Sequence, residues 1–381
     1  MDGQGPRHVL PDGTAGVRAR AGGAGAADHR RCRPRPRRAR GVECSFDKAT
    51  TDWREIIDDP KVDIVDICTP NDMHFDVAMA AIEAGKHVYC EKPLANTVDL
   101  ARQMTEAAGK AGTITLVGFN YIQNPVHGLA KAAFERGEIG DPRYMRIFFN
   151  CDFMADPNLQ HSWRNDIGRA GSGMIGDVGA HCLSYFFYLL DREVEEVMCV
   201  TANVIPDRPA PLAASGFKLG AEGDRNRRIP NTTDDMATVL FRFAGGGLGH
   251  FECSRVSTGI RFDIGYDLIG TTGSLRYSYE RINDIQLYRE QGPVEGRGFT
   301  RIQMGPSDPR YAAMQPVSGL GLGYNDYKAI EAREMLVAVA EGRKAWPDFA
   351  FGYRVQNVVE ACMQSDRERA WVRVKPTKAA A

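Results

Sequence analysis

Between Asp63 and Gly118 short apolar runs alternate with helical patterns, and that alternation leaves few folds open to the chain. Asp63-Ile64-Val65-Asp66-Ile67-Cys68 has the length and composition of a buried strand and stops at Thr69-Pro70-Asn71. From Asp72 to Ala84, Phe75, Val77, Ala78, Ala81 and Ile82 recur at helical spacing until Gly85 ends the pattern. His87-Val88-Tyr89-Cys90 is the next strand. Thr97 then reads as the N-cap of a helix through about Lys110, Gly112 stops it, and Ile114 to Gly118 is a third strand. Strand, helix, strand with short loops makes a crossover connection and a parallel sheet. Thr69-Pro70-Asn71 and Glu91-Lys92-Pro93 then lie at the carboxyl ends of neighbouring strands, on the rim where open α/β sheets take ligands.

The Glu91-Lys92-Pro93 step is unusual because a core strand runs straight into a charged pair. Pro93 biases Lys92 away from the helical region, which sets the ammonium at the strand end. A second cluster, Gly176-Asp177-Val178-Gly179-Ala180-His181, follows Trp163-Arg164 and the glycine-rich Gly171-Ser172-Gly173, which reads as a flexible link. Asp177 and His181 are spaced i, i+4, so a helix starting here projects both from one face. An imidazole beside a carboxylate suits general-base work, since its pKa is raised yet stays near neutrality.

Thr69-Pro70-Asn71 with His74, Gly85-Lys86-His87-Val88 ahead of Glu91-Lys92-Pro93, Trp163-Arg164, and Gly176-Asp177-x-Gly179-x-His181 occur in one order and spacing. Over roughly residues 44–375 this pattern resembles the glucose–fructose oxidoreductase / inositol dehydrogenase (Gfo/Idh/MocA) family of NAD(P)-dependent oxidoreductases. The tail from Gly323-Tyr324-Asn325-Asp326 through Phe349 to Val374 is most similar to its sugar and polyol dehydrogenases, such as levoglucosan and inositol dehydrogenases. The resemblance implies hydride transfer between a secondary alcohol of a sugar or polyol and the nicotinamide of NAD or NADP. It gives Lys92 the reacting hydroxyl, makes His181 the general base, and has Asp177 orient both substrate and His181. For the cofactor it implies Thr69, Pro70, Asn71 and His74 along the first rim loop, and Glu91, Lys92 and Asn120 on the ribose or nicotinamide side. Trp163 and Arg164 would close over it from the second domain. The family also includes NAD(P)-binding regulators without catalysis; Lys92, Asp177 and His181 together favour the enzyme.

The amino-terminal segment departs from that pattern. Family members open with a strand and a G-x-G-x-x-G/A turn that holds the cofactor pyrophosphate on backbone amides. Gly22-Gly23-Ala24-Gly25 has neither the spacing nor an apolar strand before it, and Gly319-Leu320-Gly321-Leu322-Gly323 comes too late and reads as a loop. Residues 1–40 hold ten arginines and no lysine or glutamate. The run Arg30 to Arg38, interrupted by Pro34 and Pro36, cannot make a central strand. A basic arm, a transit peptide and a frame disruption in a GC-rich gene all fit this text, and the third fits best. On the third reading this chain is an inactive product of a damaged gene, or has its phosphate site replaced.

The expected organisation is thus an atypical head over 1–43, a truncated Rossmann-like domain over 44–122 and an α+β domain over 123–375. The first domain is an α/β doubly wound parallel sheet. The second carries a large, mostly antiparallel open sheet, from the alternating runs Arg143–Asp152, Glu195–Val204, Met236–Ala244, Gly247–Ser257, Arg261–Gly270 and Ser274–Ser278. Residues 206–231 read as a surface loop, and helices near Asn325–Glu341 and Phe351–Arg367 close the chain. A sheet with one free face commonly packs on its copy, so a homodimer or homotetramer is expected. The 381 residues carry a net charge of −1, but ten Arg against three Asp in the head leave the body acidic. That argues against nucleic acid as a partner of the body. The nine cysteines show no C-x-x-C spacing, which points to a reduced, cytoplasmic protein without a metal cluster, and no apolar run reaches membrane-spanning length.

Overall fold

Strands β4 (Ile64–Ile67), β5 (His87–Cys90) and β6 (Thr115–Val117) run parallel and in that order, as the crossover pattern requires. The computed structural model describes residues 17–20, 30–32, 48–212 and 222–377. Helix α1 (His74–Glu83) enters through a 3-10 turn, Asn71–Met73. Helix α2 (Val98–Ala111) starts at Thr97, whose hydroxyl accepts from the Leu100 amide, and ends at Gly112 in the left-handed region. The buried faces of these helices carry Val77, Ala81, Ala101 and Met104, all fully buried against Val65, Ile67 and Val88.

The amino-terminal segment forms no central strand among the described residues. Two short strands form there, β1 (Val17–Arg20) and β2 (Arg30–Cys32). β1 joins the edge of the parallel sheet next to β4 but antiparallel to it, and β2 pairs parallel with β3 (Lys48–Thr50). An arginine-rich run is thus compatible with an edge position, where only one side of the backbone is paired. The glycine run Gly22-Gly23-Ala24-Gly25 lies outside the described residues.

The second domain is built on nine strands: β7 (Pro142–Cys151), β8 (Val194–Ala202), β11 (Met236–Phe243), β12 (Gly247–Ser254), β13 (Phe262–Gly270), β14 (Gly273–Ser278), β15 (Asp284–Arg289), β16 (Thr300–Gln303) and β17 (Val372–Arg373). Their order is β16-β15-β14-β13-β7-β12-β11-β8-β17, antiparallel except for the β7–β12 pair. Strict alternation follows: Ala237, Val239, Phe241 and Phe243 of β11 point inward, while Met236 and Leu240 stay exposed. Helix α3 (Val126–Glu135) precedes the sheet, and α4 (Ala180–Leu190) covers its inner face with every residue buried. The segment expected as a loop over 206–231 instead forms a hairpin, β9 (Asp207–Ala210) with β10 (Asp224–Pro230). Its anchor is Arg208, fully buried, which donates to the carbonyls of Met154 and Asp156. The first strand is thus held inside because backbone acceptors meet the Arg208 guanidinium, while Arg225 to Arg228 of the second stay exposed, as the charge of the segment suggests.

Helices α5 (Tyr324–Glu341) and α6 (Phe349–Glu368) return to the first domain. Met335 and Ala338 of α5 pack on Ile64 and Leu116, covering one face of the parallel sheet. The Pro347 carbonyl accepts from the Val117 amide and so caps the β6 edge.

His127 lies in a cage of tyrosines, its ring centroid 4.6 Å from both Tyr185 and Tyr277 and its Nδ1 3.2 Å from the Tyr266 hydroxyl. Burial, then the Arg310 charge, pushes its pKa from 6.5 down to about 3. Below about pH 6.5 the unfolded chain therefore takes up a proton that the native one refuses, and stability falls by roughly 1.4 kcal/mol per pH unit from this residue alone. His127→Gln should flatten urea-unfolding stability between pH 6.5 and 4.5 relative to wild type; parallel slopes would refute this.

Candidate active site

Lys92 and Asp177 meet across the domain boundary. The β5 ladder continues one residue past the strand, with the Glu91 amide donating to the Ile67 carbonyl, and Lys92 follows at the sheet rim. Its Nζ donates to Asp177 Oδ1 at 2.8 Å and also to the Asp177 carbonyl. Asp177 Oδ2 lies 3.8 Å from Arg164 Nε, and Arg164 stacks over Trp163 with 4.3 Å between guanidinium carbon and ring centroid. Burial raises the Asp177 pKa, but Lys92 and Arg164 more than reverse it and hold the carboxyl far below its ordinary range.

Asp177 sits in a π-helical turn, Ile175–Gly179, and α4 begins only at Ala180. This wider turn changes the expected geometry: the Asp177 carboxylate serves Lys92 and Arg164, and no hydrogen bond joins it to His181 among the described residues. π-turns of this kind are frequent at functional sites. His181 is 3% exposed and packs edge-on against Tyr121 and Phe119 at centroid distances of 4.7 and 5.7 Å. Its Nδ1 has no hydrogen-bond partner among the described residues. The pKa moves opposite to expectation. Burial, then the positive charges of Lys92 and Lys328, push it well below 6.5, and Asp177 offsets only part of this.

The first rim loop contributes a mixed set. Asn71 donates to the Ala170 carbonyl at 2.8 Å, and Asp72 pairs with Arg169 at 2.9 Å, so this loop is tied to the second domain. Asn71, Trp163, Arg164, Ser172, Asp177 and Arg255 line the cleft between the domains. His74 lies beneath the surface, fully buried, with Nδ1 2.9 Å from the Pro93 carbonyl and Nε2 3.1 Å from the Thr69 carbonyl. It latches the two rim loops together; Pro70, buried, sets up the turn into α1 between them. Thr69 Oγ1 and Asn120 Nδ2 are buried without partners among the described residues. Such orphaned groups at strand ends fit a polar ligand, since leaving them unmet costs ~1–3 kcal/mol each. The residues present therefore fit the nicotinamide half of a dinucleotide. No glycine turn for its pyrophosphate is found in the sequence, and the nearest glycine run, Gly22-Gly23-Ala24-Gly25, lies outside the described residues.

Sequence reasoning did not single out Lys328, Tyr121 or Arg255. Lys328 bonds Glu91 at 2.6 Å, Tyr121 packs on His181, and Arg255 pairs with Asp235 at 2.9 Å in full burial beside the cleft. Lys328 and Arg255 lie 237 and 78 positions from Glu91 and Asp177, respectively, by difference of residue number, and no local pattern links them. The glycine-rich link is also not a hinge. Gly171 has φ +76°, and a Cβ there would lie 2.1 Å from the Asn96 carbonyl oxygen; at Gly173 it would meet Asp234 Oδ1 at 2.2 Å. The missing side chain of Gly171 lets the two domains approach closely, and that of Gly173 makes room for Asp234 of its own domain.

Family-level comparison agrees with this geometry. Residues 30–119 match the oxidoreductase family, NAD-binding Rossmann fold, and residues 127–276 match the GFO/IDH/MocA C-terminal domain. The first match begins inside the segment set apart as the head. Levoglucosan dehydrogenase of Pseudarthrobacter phenanthrenivorans is 38% identical over 332 residues, covering 86% of this chain and 84% of that one. The chain belongs to the Gfo/Idh/MocA family. Myo-inositol 2-dehydrogenase of Thermotoga maritima is 32% identical over 253 residues, 66% of each chain. A solved levoglucosan dehydrogenase in complex with NADH and levoglucosan superposes with a TM-score of 0.81 at 36% identity, covering 88% of this chain and 86% of that one.

Gly171→Ala should lower stability by about 1–3 kcal/mol through the positive φ and the clash with Asn96. Thermal denaturation measures it, and a variant as stable as wild type would mean the Asn96 contact is not close.

Proposed function

We propose that this protein is an NAD(P)-dependent dehydrogenase that oxidises a secondary alcohol of a sugar or polyol. The observation that carries the reading is the Lys92 ammonium, bound at the sheet rim to the cleft-lining Asp177, with its charge acting on the buried imidazole of His181, whose Nδ1 has no partner among the described residues. Thr69, Asn71, Glu91, Asn120, Trp163 and Arg164 would hold the cofactor, with His74 and Pro70 shaping the rim loop. When bound, the nicotinamide supplies the two-electron hydride acceptor. NAD is the better supported form, because the relative with the solved complex carries NADH.

Lys92 stabilises negative charge on the substrate oxygen as its proton leaves, and His181 accepts that proton at an imidazole nitrogen. Acid–base help of this kind contributes about 10²–10⁴-fold. Because its pKa is depressed, His181 stays neutral and ready to accept below pH 6.5, but it holds a proton weakly and must pass it on. Asp177 fixes Lys92 rather than His181. The pairing of Lys92 with Asp177 favours catalysis over a purely regulatory cofactor-binding role, since a regulator has no use for a cation beside a proton acceptor.

The test is a fluorescence titration with NADH and NADPH, followed by a polyol screen for NADH formation. Saturable binding and polyol-dependent turnover are expected, and Lys92→Ala should cut kcat by about 10² or more with the circular dichroism unchanged. Near-normal turnover in that variant would remove Lys92 from the chemistry.

None of the seven described cysteines is in a disulfide, which supports a cytoplasmic location, and no described helix is long and apolar enough to cross a membrane. The outer sheet face supports self-association: Val200, Leu240, Leu248 and Ile269 are exposed on it, and Leu240 stands opposite Met198 and His250. An apolar stripe on a sheet face is the usual mark of an interface. Light scattering after gel filtration should give a homodimer or homotetramer that Leu240→Asp weakens; a wild-type monomer at micromolar concentration would disprove it.

A further inference from the structure

Behind the Glu-Lys-Pro loop lies a charged cluster whose Lys328, Glu331 and Tyr89 the chemistry above leaves unused. Lys328, in the second turn of α5, places Nζ 2.6 Å from Glu91 Oε1 and 3.1 Å from Glu331 Oε2. Tyr89 donates its hydroxyl to the same Glu331 oxygen, and Glu331 Oε1 has no partner among the described residues. Glu331 is fully buried, and the Lys328 side chain is 21% exposed. Gly118 makes room for the cluster, because a Cβ there would stand 2.9 Å from Glu91 Oε2.

Stability does not explain this arrangement. α5 is already anchored by Met335 and Ala338 on the sheet, and a buried ion cluster is on average no more stable than apolar residues of the same volume. What the cluster does achieve is to fix the carboxylate next to Lys92 from a third element of the chain. We propose that Lys328 is a positioning residue for the reaction: by tethering Glu91 it sets the loop that carries Lys92. This rests on the dehydrogenase reading. The charge environment of His181 supports it, since Lys92 and Lys328 both disfavour the imidazolium while Asp177 alone opposes them. Tyr121, Phe119 and Phe149, which pack on the ring, bring no charge at neutral pH. Glu331, its pKa raised to about 7 by burial, leaves Lys328 paired chiefly with Glu91 near neutrality.

The experiment is Lys328→Met in the full chain, with two readouts. The first is the pH titration of the His181 imidazole by NMR in the unliganded protein, assigned with His181→Gln. It should move up, toward 6.5, when the charge is removed. The second is steady-state kinetics with NAD and the polyol that wild type turns over: kcat should fall at least tenfold with KM for the polyol changed less than threefold, and Lys328→Arg should restore most of the loss. If Lys328→Met does not fold, Lys328→Gln retains a donor for Glu91 without the charge and answers the first readout. A His181 titration unmoved in the folded variant overturns the proposal, and so does an unchanged kcat. A wild type inert toward every polyol overturns the dehydrogenase reading by itself, and the imidazole titration then still decides the placement of Lys328.

Discussion

Lys92 and Asp177 come from different domains, and the ion pair between them is the constraint around which the cleft is arranged. Lys92 is placed by the end of a parallel strand, where the ladder bond from Glu91 to Ile67 fixes the backbone one residue before it. Asp177 is placed by a π-helical turn that presents both a carboxylate oxygen and its own carbonyl to the same ammonium. An ammonium has three protons to place and no acceptor capacity, so two fixed oxygens leave one direction open. The pair can form only if the domains are close, and Gly171, packed against Asn96, is one place where that closeness is permitted.

Much of the first domain was legible in the sequence because its strands are short apolar runs bounded by strong stop signals. His87–Cys90 is the strand expected, Thr97 is the cap expected, and Gly112 ends the helix in the left-handed region. The two charged motifs were legible for a similar reason, since a lysine at the end of a core strand and a His four residues after an Asp stand out locally. What local pattern could not carry was direction and partner. The i, i+4 spacing suggested that Asp177 serves His181, but the carboxylate, set in a π-helical turn, meets Lys92 and Arg164 instead. The charged segment 206–231 suggested solvent, but Arg208 finds two carbonyls inside.

The same distinction explains His74. Its place in the motif marked it as a cofactor neighbour, and it does lie at the rim. Yet both ring nitrogens face backbone carbonyls, one on each rim loop, so its reach is used up in holding Thr69 and Pro93 together. A neutral imidazole can donate to only one of them, and burial lowers its pKa, so the latch is one hydrogen bond and one close contact. Its effect on the site passes through the spacing of the two loops.

His181 shows how placement decides chemistry more than residue type does. A carboxylate next to an imidazole raises its pKa; here the nearest effective charges are two ammonium groups, and the ring is walled by Phe119, Tyr121 and Phe149. All of these disfavour the imidazolium. Such a group is a poor store of protons and a good conduit for them, because it accepts only while a stronger base or solvent can take the proton onward. On the proposed chemistry Lys92 would have the larger share of the work, because stabilising an alkoxide beside an ammonium already oriented by Asp177 costs no reorganisation. The depressed pKa of His181 and the anchored ammonium of Lys92 thus have one source in the fold: Lys92 is held on Asp177 while its charge still acts on the buried ring.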